Sequence, residues 1–185
     1  MRRVFIAINF PGSGKMFLEK ISLKLKKQNQ SADIKWVNPQ SFHLTLIFLG
    51  YLNEEQINQT AETMRRIAPF YPSFILSTGG LGAFPDMSNP QVVYLDIRER
   101  KTACLQKLQK ALNQEFIKNL KIRPDYKKFN AHITLARVKD RAVKANPIEI
   151  KTVYEFKVTA VDLMESLPER AGTRYKVLER FFLET

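Results

Sequence analysis

The chain has 185 residues, of which 44% are hydrophobic and 26% are charged, the balance of a soluble globular protein that can bury a substantial core. This balance excludes a disordered chain, and no apolar stretch approaches the roughly 20 residues that a membrane-spanning helix requires. The formal net charge of +12 favours an acidic partner such as nucleic acid, although a basic surface kept for solubility would give the same charge.

The N-terminal third of the chain predicts strands alternating with helices. "RRVFIAINF" (2–10) is a buried-strand pattern that reaches Asn9 and Pro11 too soon for a signal peptide, so we expect a cytoplasmic protein. An amphipathic helix over 12–27 follows, with Ser13 as its predicted cap. A strand over 33–37 and the apolar run "SFHLTLIFLG" (41–50) come next.

The middle of the chain predicts a second helix and a turn-rich boundary. "NEEQINQTAETMRRIA" (53–68) has Asn53 as cap and Gln56 three residues later, the pattern of a capping box. "SFILSTGGLGAF" (73–84) resembles a strand but is interrupted by three glycines, and "FPDMSNPQ" (84–91) has the composition of a turn.

The second half predicts a strand over 92–97, a long helix over 98–120, a strand containing "HITLARV" (132–138) and a closing hairpin. The hairpin joins the alternating segments 152–165 and 173–183 around "SLPERAG". The single cysteine, Cys104, excludes an internal disulfide, and its helical spacing from Leu108 predicts a packed thiol.

One phrase occurs twice: His43-Leu44-Thr45-Leu46 and His132-Ile133-Thr134-Leu135 contain the only two histidines of the chain. The same shift of 89 residues aligns 4–8 with 93–97. The repeat predicts a duplicated α+β unit: a single bilobal domain over 1–185 with approximate halves 1–85 and 90–185, related by a pseudo-twofold axis. We expect antiparallel sheets that face a central groove, with the helices outside.

Alternation along a strand places each histidine on the same face as the threonine two residues on, so two imidazoles and two hydroxyls can converge in the groove. Imidazoles can act as general acid and base near neutral pH, and Thr45 and Thr134 can donate to a phosphate. Structural histidines kept by common ancestry of the two halves are the alternative. A zinc site would need more ligands than His43 and His132 supply.

The quoted motifs resemble the two-histidine phosphoesterase superfamily, and more specifically the RNA 2',3'-cyclic phosphodiesterases once called 2'-5' RNA ligases. "RRVFIAINF", "FHLTLIFLG", "GAFPDMSNPQVVYLDI" and "HITLARV" carry this resemblance over most of the chain. It implies that His43 is the proton donor, that His132 is the proton acceptor, that Arg137 contacts phosphate and that no metal is needed. Arg137 lies five residues after His132, so the two share a face only if the strand bulges.

The sequence therefore predicts a cytoplasmic, monomeric hydrolase that opens the 2',3'-cyclic phosphate of RNA or tRNA ends, or of small cyclic nucleotides, to a 2'-phosphate without a cofactor, metal or membrane. The alternatives are ligation by the reverse reaction and a basic RNA-binding module without turnover. Phe5 and Tyr94, which the shift of 89 residues relates, are predicted to stack on the substrate base, with core packing as the alternative.

Overall fold

We describe the protein from a computed structural model, which covers residues 1–31, 33–100, 102–120, 129–139, 146–169 and 172–184. These residues form two antiparallel sheets and three α-helices. The helices are α1 (Gly12–Gln28), α2 (Glu54–Ile67) and α3 (Cys104–Leu120), and the strands are β1 (Arg2–Asn9), β2 (Ile34–Trp36), β3 (His43–Leu52), β4 (Phe74–Phe84), β5 (Val92–Glu99), β6 (His132–Val138), β7 (Glu155–Val158), β8 (Ala160–Glu169) and β9 (Gly172–Phe182).

Each sheet combines strands from both ends of the chain. The first sheet has the order β3-β1-β8-β9, and the second has the order β2-β6-β5-β4-β7. The strands that begin with the two histidines, β3 and β6, contact each other between the sheets. The predicted α+β class with two antiparallel sheets is confirmed.

The core is one continuous apolar cluster that takes residues from both sheets and all three helices, among them Ile6, Leu18, Leu44, Met64, Leu95, Leu108 and Ile133. In β1 the alternation sends Val4, Ile6 and Ile8 into this core, and Phe5 and Ala7 pack on the opposite face with Met164 and Tyr175. The first sheet therefore has one face for the core and one for the site.

No helix within the described residues is long and apolar enough to cross a membrane.

The helix termini only partly follow the sequence predictions. The capping box of α2 is present, because Asn53 accepts from the Gln56 backbone and Gln56 accepts from the Asn53 backbone. Ser13 does not cap α1, which follows Pro11; its hydroxyl instead hydrogen-bonds that of Tyr154 at 2.8 Å. The predicted Ser13 cap is wrong.

The long helix begins later than expected. β5 continues to Glu99, so α3 starts at Cys104 and not at residue 98. The Glu99 carboxylate caps the helix, accepting from the backbone N–H of Cys104 at 2.6 Å and of Leu105 at 2.9 Å. Cys104 is buried, as its spacing predicted.

The three glycines of 73–84 do not interrupt a strand, because β4 is continuous with a register shift between Thr78 and Leu81. Gly82 lies opposite Tyr94, whose ring would come within 2.5 Å of a Cβ at position 82. Glycine is needed there because the tyrosine ring lies over the strand.

The C-terminal hairpin is present as β8 paired with β9, although its tip residues Arg170 and Ala171 lie outside the described residues. The predicted first arm, 152–165, is in fact two strands. β7 pairs with β4 in the second sheet, and β8 pairs with β1 in the first. The chain thus crosses from one sheet to the other around Thr159.

Candidate active site

The two histidines occupy matching places, since each is the first residue of its strand. The ring nitrogen Nδ1 of His43 lies 2.7 Å from the Ser41 carbonyl, and Nδ1 of His132 lies 2.8 Å from the Asn130 carbonyl. A carbonyl only accepts, so Nδ1 carries the proton and donates it in both rings. Each Nε2 is thereby left as the atom that can give or take a proton.

Two aromatic rings support each imidazole. His43 contacts Phe5, with ring centroids 5.0 Å apart, and Tyr175 at 4.7 Å edge-on. His132 contacts Tyr94 and Phe84, each at 5.1 Å. The supporting rings also contact each other, and this fixes both imidazoles in place.

This aromatic environment lowers the basicity of both imidazoles. Burial lowers the pKa of His43 to about 4, against the opposing hydrogen bond to Ser41. The positive charge of Lys15 lowers it further, and so does His132 when that ring is protonated. Burial likewise lowers the pKa of His132, and the charge of Arg137 adds to that effect. His43 is therefore neutral at neutral pH in the unliganded protein, and His132 holds a proton less readily than an ordinary imidazole.

Thr45 and Thr134 lie two residues beyond the histidines and are half-buried. Neither hydroxyl has a hydrogen-bond partner among the residues that the structure describes, so both can donate to a ligand. Thr45 pairs across the sheet with Ala7, and Thr134 pairs with Tyr94. By strand pairing, Tyr94 therefore occupies the position beside Thr134 that Ala7 occupies beside Thr45. The shift of 89 residues relates Tyr94 to Phe5 instead, which lies two residues before Ala7.

Arg137 lies on the same face of β6 as His132 because the strand bulges. A register shift against β5 falls between the pairs of Thr134 and Ala136, so Leu135 and Ala136 are both buried and Arg137 returns to the face of His132. The equivalent bulge in β3 exposes Phe48, which is 63% exposed. The two halves therefore present different side chains, an arginine and a phenylalanine, at the same place beyond the threonine.

The predicted aromatic residues lie beside the histidines but differ in exposure. Phe5 is 3% exposed, because His43 and Tyr175 cover its ring. Phe5 therefore presents no free face to a base in this structure, and its ring packs against His43. Tyr94 is half-buried and accepts a hydrogen bond at 3.3 Å from the amide of Asn130.

Sequence reasoning missed Lys15, Phe84 and Tyr175. In the sequence Lys15 is only one polar position of the first helix, and Tyr175 comes from β9 near the end of the chain. No local pattern marks them, because tertiary packing alone brings them to His43 or His132. Lys15 and Tyr175 line a cavity of about 230 Å³ beside His43.

A larger cavity of about 450 Å³ lies elsewhere, between the end of α2 and α3, and is lined by neither histidine. The Arg66–Glu115 ion pair is at its wall. Within the described ranges, no cluster of three or more His, Cys, Asp or Glu side chains could hold a metal ion.

Comparison with known proteins agrees with this geometry. The family described as the AKAP7 2'5' RNA ligase-like domain matches residues 5–181. The RNA 2',3'-cyclic phosphodiesterase of Archaeoglobus fulgidus is 32% identical over 97% of this chain and 99% of its own length. That of Thermotoga maritima is 34% identical over 95% of this chain and 92% of its own.

Solved structures of similar proteins have the same fold as this chain. TT0787 of Thermus thermophilus has a TM-score of 0.84 at 28% identity, covering 97% of both chains. E. coli LigT complexed with 3'-AMP has a TM-score of 0.80 at 26% identity, covering 100% of this chain and 99% of its own. Paired His-x-Thr strands on this fold, with a match along nearly the whole sequence, place this chain in the 2'-5' RNA ligase-like family of two-histidine phosphoesterases, alongside proteins named RNA 2',3'-cyclic phosphodiesterase.

Proposed function

We propose that this protein hydrolyses the 2',3'-cyclic phosphate at the end of an RNA, or of a small cyclic nucleotide, to a 2'-phosphate. The observation that carries the proposal is the matched orientation of the imidazoles, in which a backbone carbonyl holds each Nδ1 and leaves Nε2 of His43 and His132 free. A phosphodiester hydrolase needs one group to take a proton from water and one to give a proton to the leaving oxygen.

In the proposed reaction, Nε2 of His132 accepts a proton from the attacking water as its oxygen bonds to phosphorus. The bond from phosphorus to the 3' oxygen breaks, and Nε2 of His43 gives that oxygen its proton. Thr45, Thr134 and Arg137 donate to the nonbridging oxygens, where negative charge accumulates. Tyr94, half-buried beside His132, is the remaining candidate for contact with the base.

The low pKa of His43 sets a condition on this assignment. A neutral imidazole cannot act as an acid, so His43 must take up a proton when substrate binds. A phosphodiester anion raises the pKa of a neighbouring imidazole, because it stabilises the protonated ring. Substrate binding near neutral pH should therefore be accompanied by proton uptake.

The direct test is to incubate the purified protein with an RNA that ends in a 2',3'-cyclic phosphate and to identify the product by chromatography. We expect a 2'-phosphate. A 3'-phosphate would mean that the other bond is broken, and affinity without turnover would favour the basic RNA-binding module. Supplying an RNA with a 5'-hydroxyl end in the same assay measures ligation by the reverse reaction.

We expect the protein to act as a cytoplasmic monomer made of one bilobal domain. The continuous core shared by both sheets supports a single unit. Light scattering coupled to size-exclusion chromatography will give the mass in solution, and a mass of twice 21.5 kDa would contradict the monomer.

A further inference from the structure

The cavity of about 230 Å³ lies against residues that contact His43. Ser41, whose carbonyl holds His43, and Tyr175, whose ring meets that of His43, are both in its wall. The cavity is lined by Asn9, Phe10, Lys15, Gln40, Ser41, Met164, Tyr175, Val177 and Arg180. The cavity therefore adjoins His43 through Ser41 and Tyr175.

Lys15 gives this cavity a positive charge that the protein does not neutralise. Its ammonium donates to the Gln40 carbonyl at 2.8 Å, and it forms no ion pair with a carboxylate among the residues that the structure describes. The side chain is half-buried, and burial lowers the pKa of Lys15, as expected for an ammonium without a counter-ion. An anion in the cavity would supply the missing partner.

Arg180 also lines the cavity and is paired with a carboxylate. Its Nε and Nη2 donate to the Asp162 carboxylate at 2.7 and 3.0 Å, and Asp162, which is 2% exposed, also accepts from Asn9 at 2.7 Å. The second terminal nitrogen, Nη1, has no partner within the described part of the chain and remains free to donate. Because Asp162 neutralises Arg180, the cavity keeps the single positive charge of Lys15.

We infer that this cavity is a second phosphate subsite, which binds the phosphate attached to the 5' oxygen of the terminal nucleotide while the cyclic phosphate lies between the histidines. The inference rests on the proposed function. In RNA the 3' oxygen and the 5' phosphate are attached to the same ribose. When the leaving 3' oxygen lies beside His43, that ribose and its 5' phosphate therefore lie on the His43 side of the site. The preferred substrate class is then RNA or a 5'-phosphorylated nucleotide, and not a nucleoside 2',3'-cyclic phosphate.

The test compares kcat/KM for three substrates with the same terminal base: the nucleoside 2',3'-cyclic phosphate, its 5'-phosphorylated form, and the dinucleotide. We expect both substrates with a 5' phosphate to exceed the first by at least about tenfold, as for a charge-assisted hydrogen bond. Lys15→Met should reduce that ratio to near one, and Lys15→Arg should keep it. Lys20→Met removes an exposed charge from the same helix and should leave the ratio unchanged.

Equal kcat/KM for all three substrates, or an unchanged ratio in the folded Lys15→Met variant, would overturn the subsite. A gain for the dinucleotide alone would assign the preference to the second nucleoside and overturn it as well. Absence of hydrolysis would refute the proposed function instead. In that case calorimetry with a nucleoside 2'-phosphate, with and without a 5' phosphate, still tests the subsite: tighter binding of the 5' form that depends on Lys15 supports it, and equal binding overturns it.

Discussion

The depressed pKa of His43 should make the folded protein sensitive to acid, and replacing this residue by glutamine tests that. Burial lowers the pKa from 6.5 to about 4 in the folded protein, and the unfolded chain keeps the ordinary value. Between these two values the unfolded chain binds a proton that the folded protein does not. The free energy of unfolding therefore falls as the pH falls from 6.5 towards 4, and it recovers as the pH rises.

The size of the effect follows from the two pKa values. Linkage gives a decrease in the free energy of unfolding of about 2 kcal/mol at pH 5 and about 3 kcal/mol near pH 4. These are upper values, because the His43 ring keeps some exposure to solvent. Glutamine cannot titrate, so the variant should lack this loss, and the carboxylates that titrate in the same range are common to both proteins.

The assay is urea unfolding followed by circular dichroism, on the original protein and on His43→Gln, at about pH 7.5 and about pH 5. The free energy of unfolding of the original protein should fall by about 2 kcal/mol more than that of His43→Gln between the higher and the lower pH. His132→Gln should move in the same direction, because the pKa of His132 is also lowered. A difference that is the same at both pH values would refute the argument that burial holds His43 neutral.

Three further predictions concern activity. Hydrolysis should persist in excess EDTA; loss of activity that a divalent ion restores would refute the acid-base mechanism. His43→Ala and His132→Ala should each lower kcat by about 10²–10⁴-fold. The double variant should lose far less than the product of the two single losses. In the pH profile of kcat/KM, His43→Ala should remove the alkaline limb and His132→Ala the acidic limb. Swapped limbs would reverse the roles, and near-normal turnover by either folded variant would exclude the pair. Gly82→Ala places a Cβ within 2.5 Å of the Tyr94 ring, so it should lower the free energy of unfolding by about 1–3 kcal/mol, measured by thermal unfolding, and should also lower kcat. The control Gly80→Ala places its Cβ in open space and should change neither quantity.

Several features of the site could be predicted because they depend on short-range geometry. A strand alternates its side chains strictly, so His43 and Thr45 had to share a face, as did His132 and Thr134. The repeated phrase then indicated that two such strands exist. The capping box of α2 is equally local, since it joins Asn53 to Gln56.

Other features depend on pairing between distant segments. The register shift that returns Arg137 to the face of His132 arises between β6 and β5, and nothing within "HITLARV" specifies it. β5 continues to Glu99 because it pairs there with Leu76 of β4, and Glu99 then caps α3. The arm expected at 152–165 divides between two sheets because β7 pairs with β4 and β8 pairs with β1.

The chemistry of the site could be read from the sequence: two imidazoles, each with a hydroxyl two residues on, in an α+β chain with a formal net charge of +12. These properties belong to single residues or to neighbours along one strand. Only the tertiary structure decided how that chemistry is tuned. Tyr175 reaches His43 from β9, and Lys15 reaches it from α1, so the burial and charge that lower its pKa come from segments far apart in the chain. Such long-range packing depends on which strands pair and in what register, which no local pattern of side chains specifies.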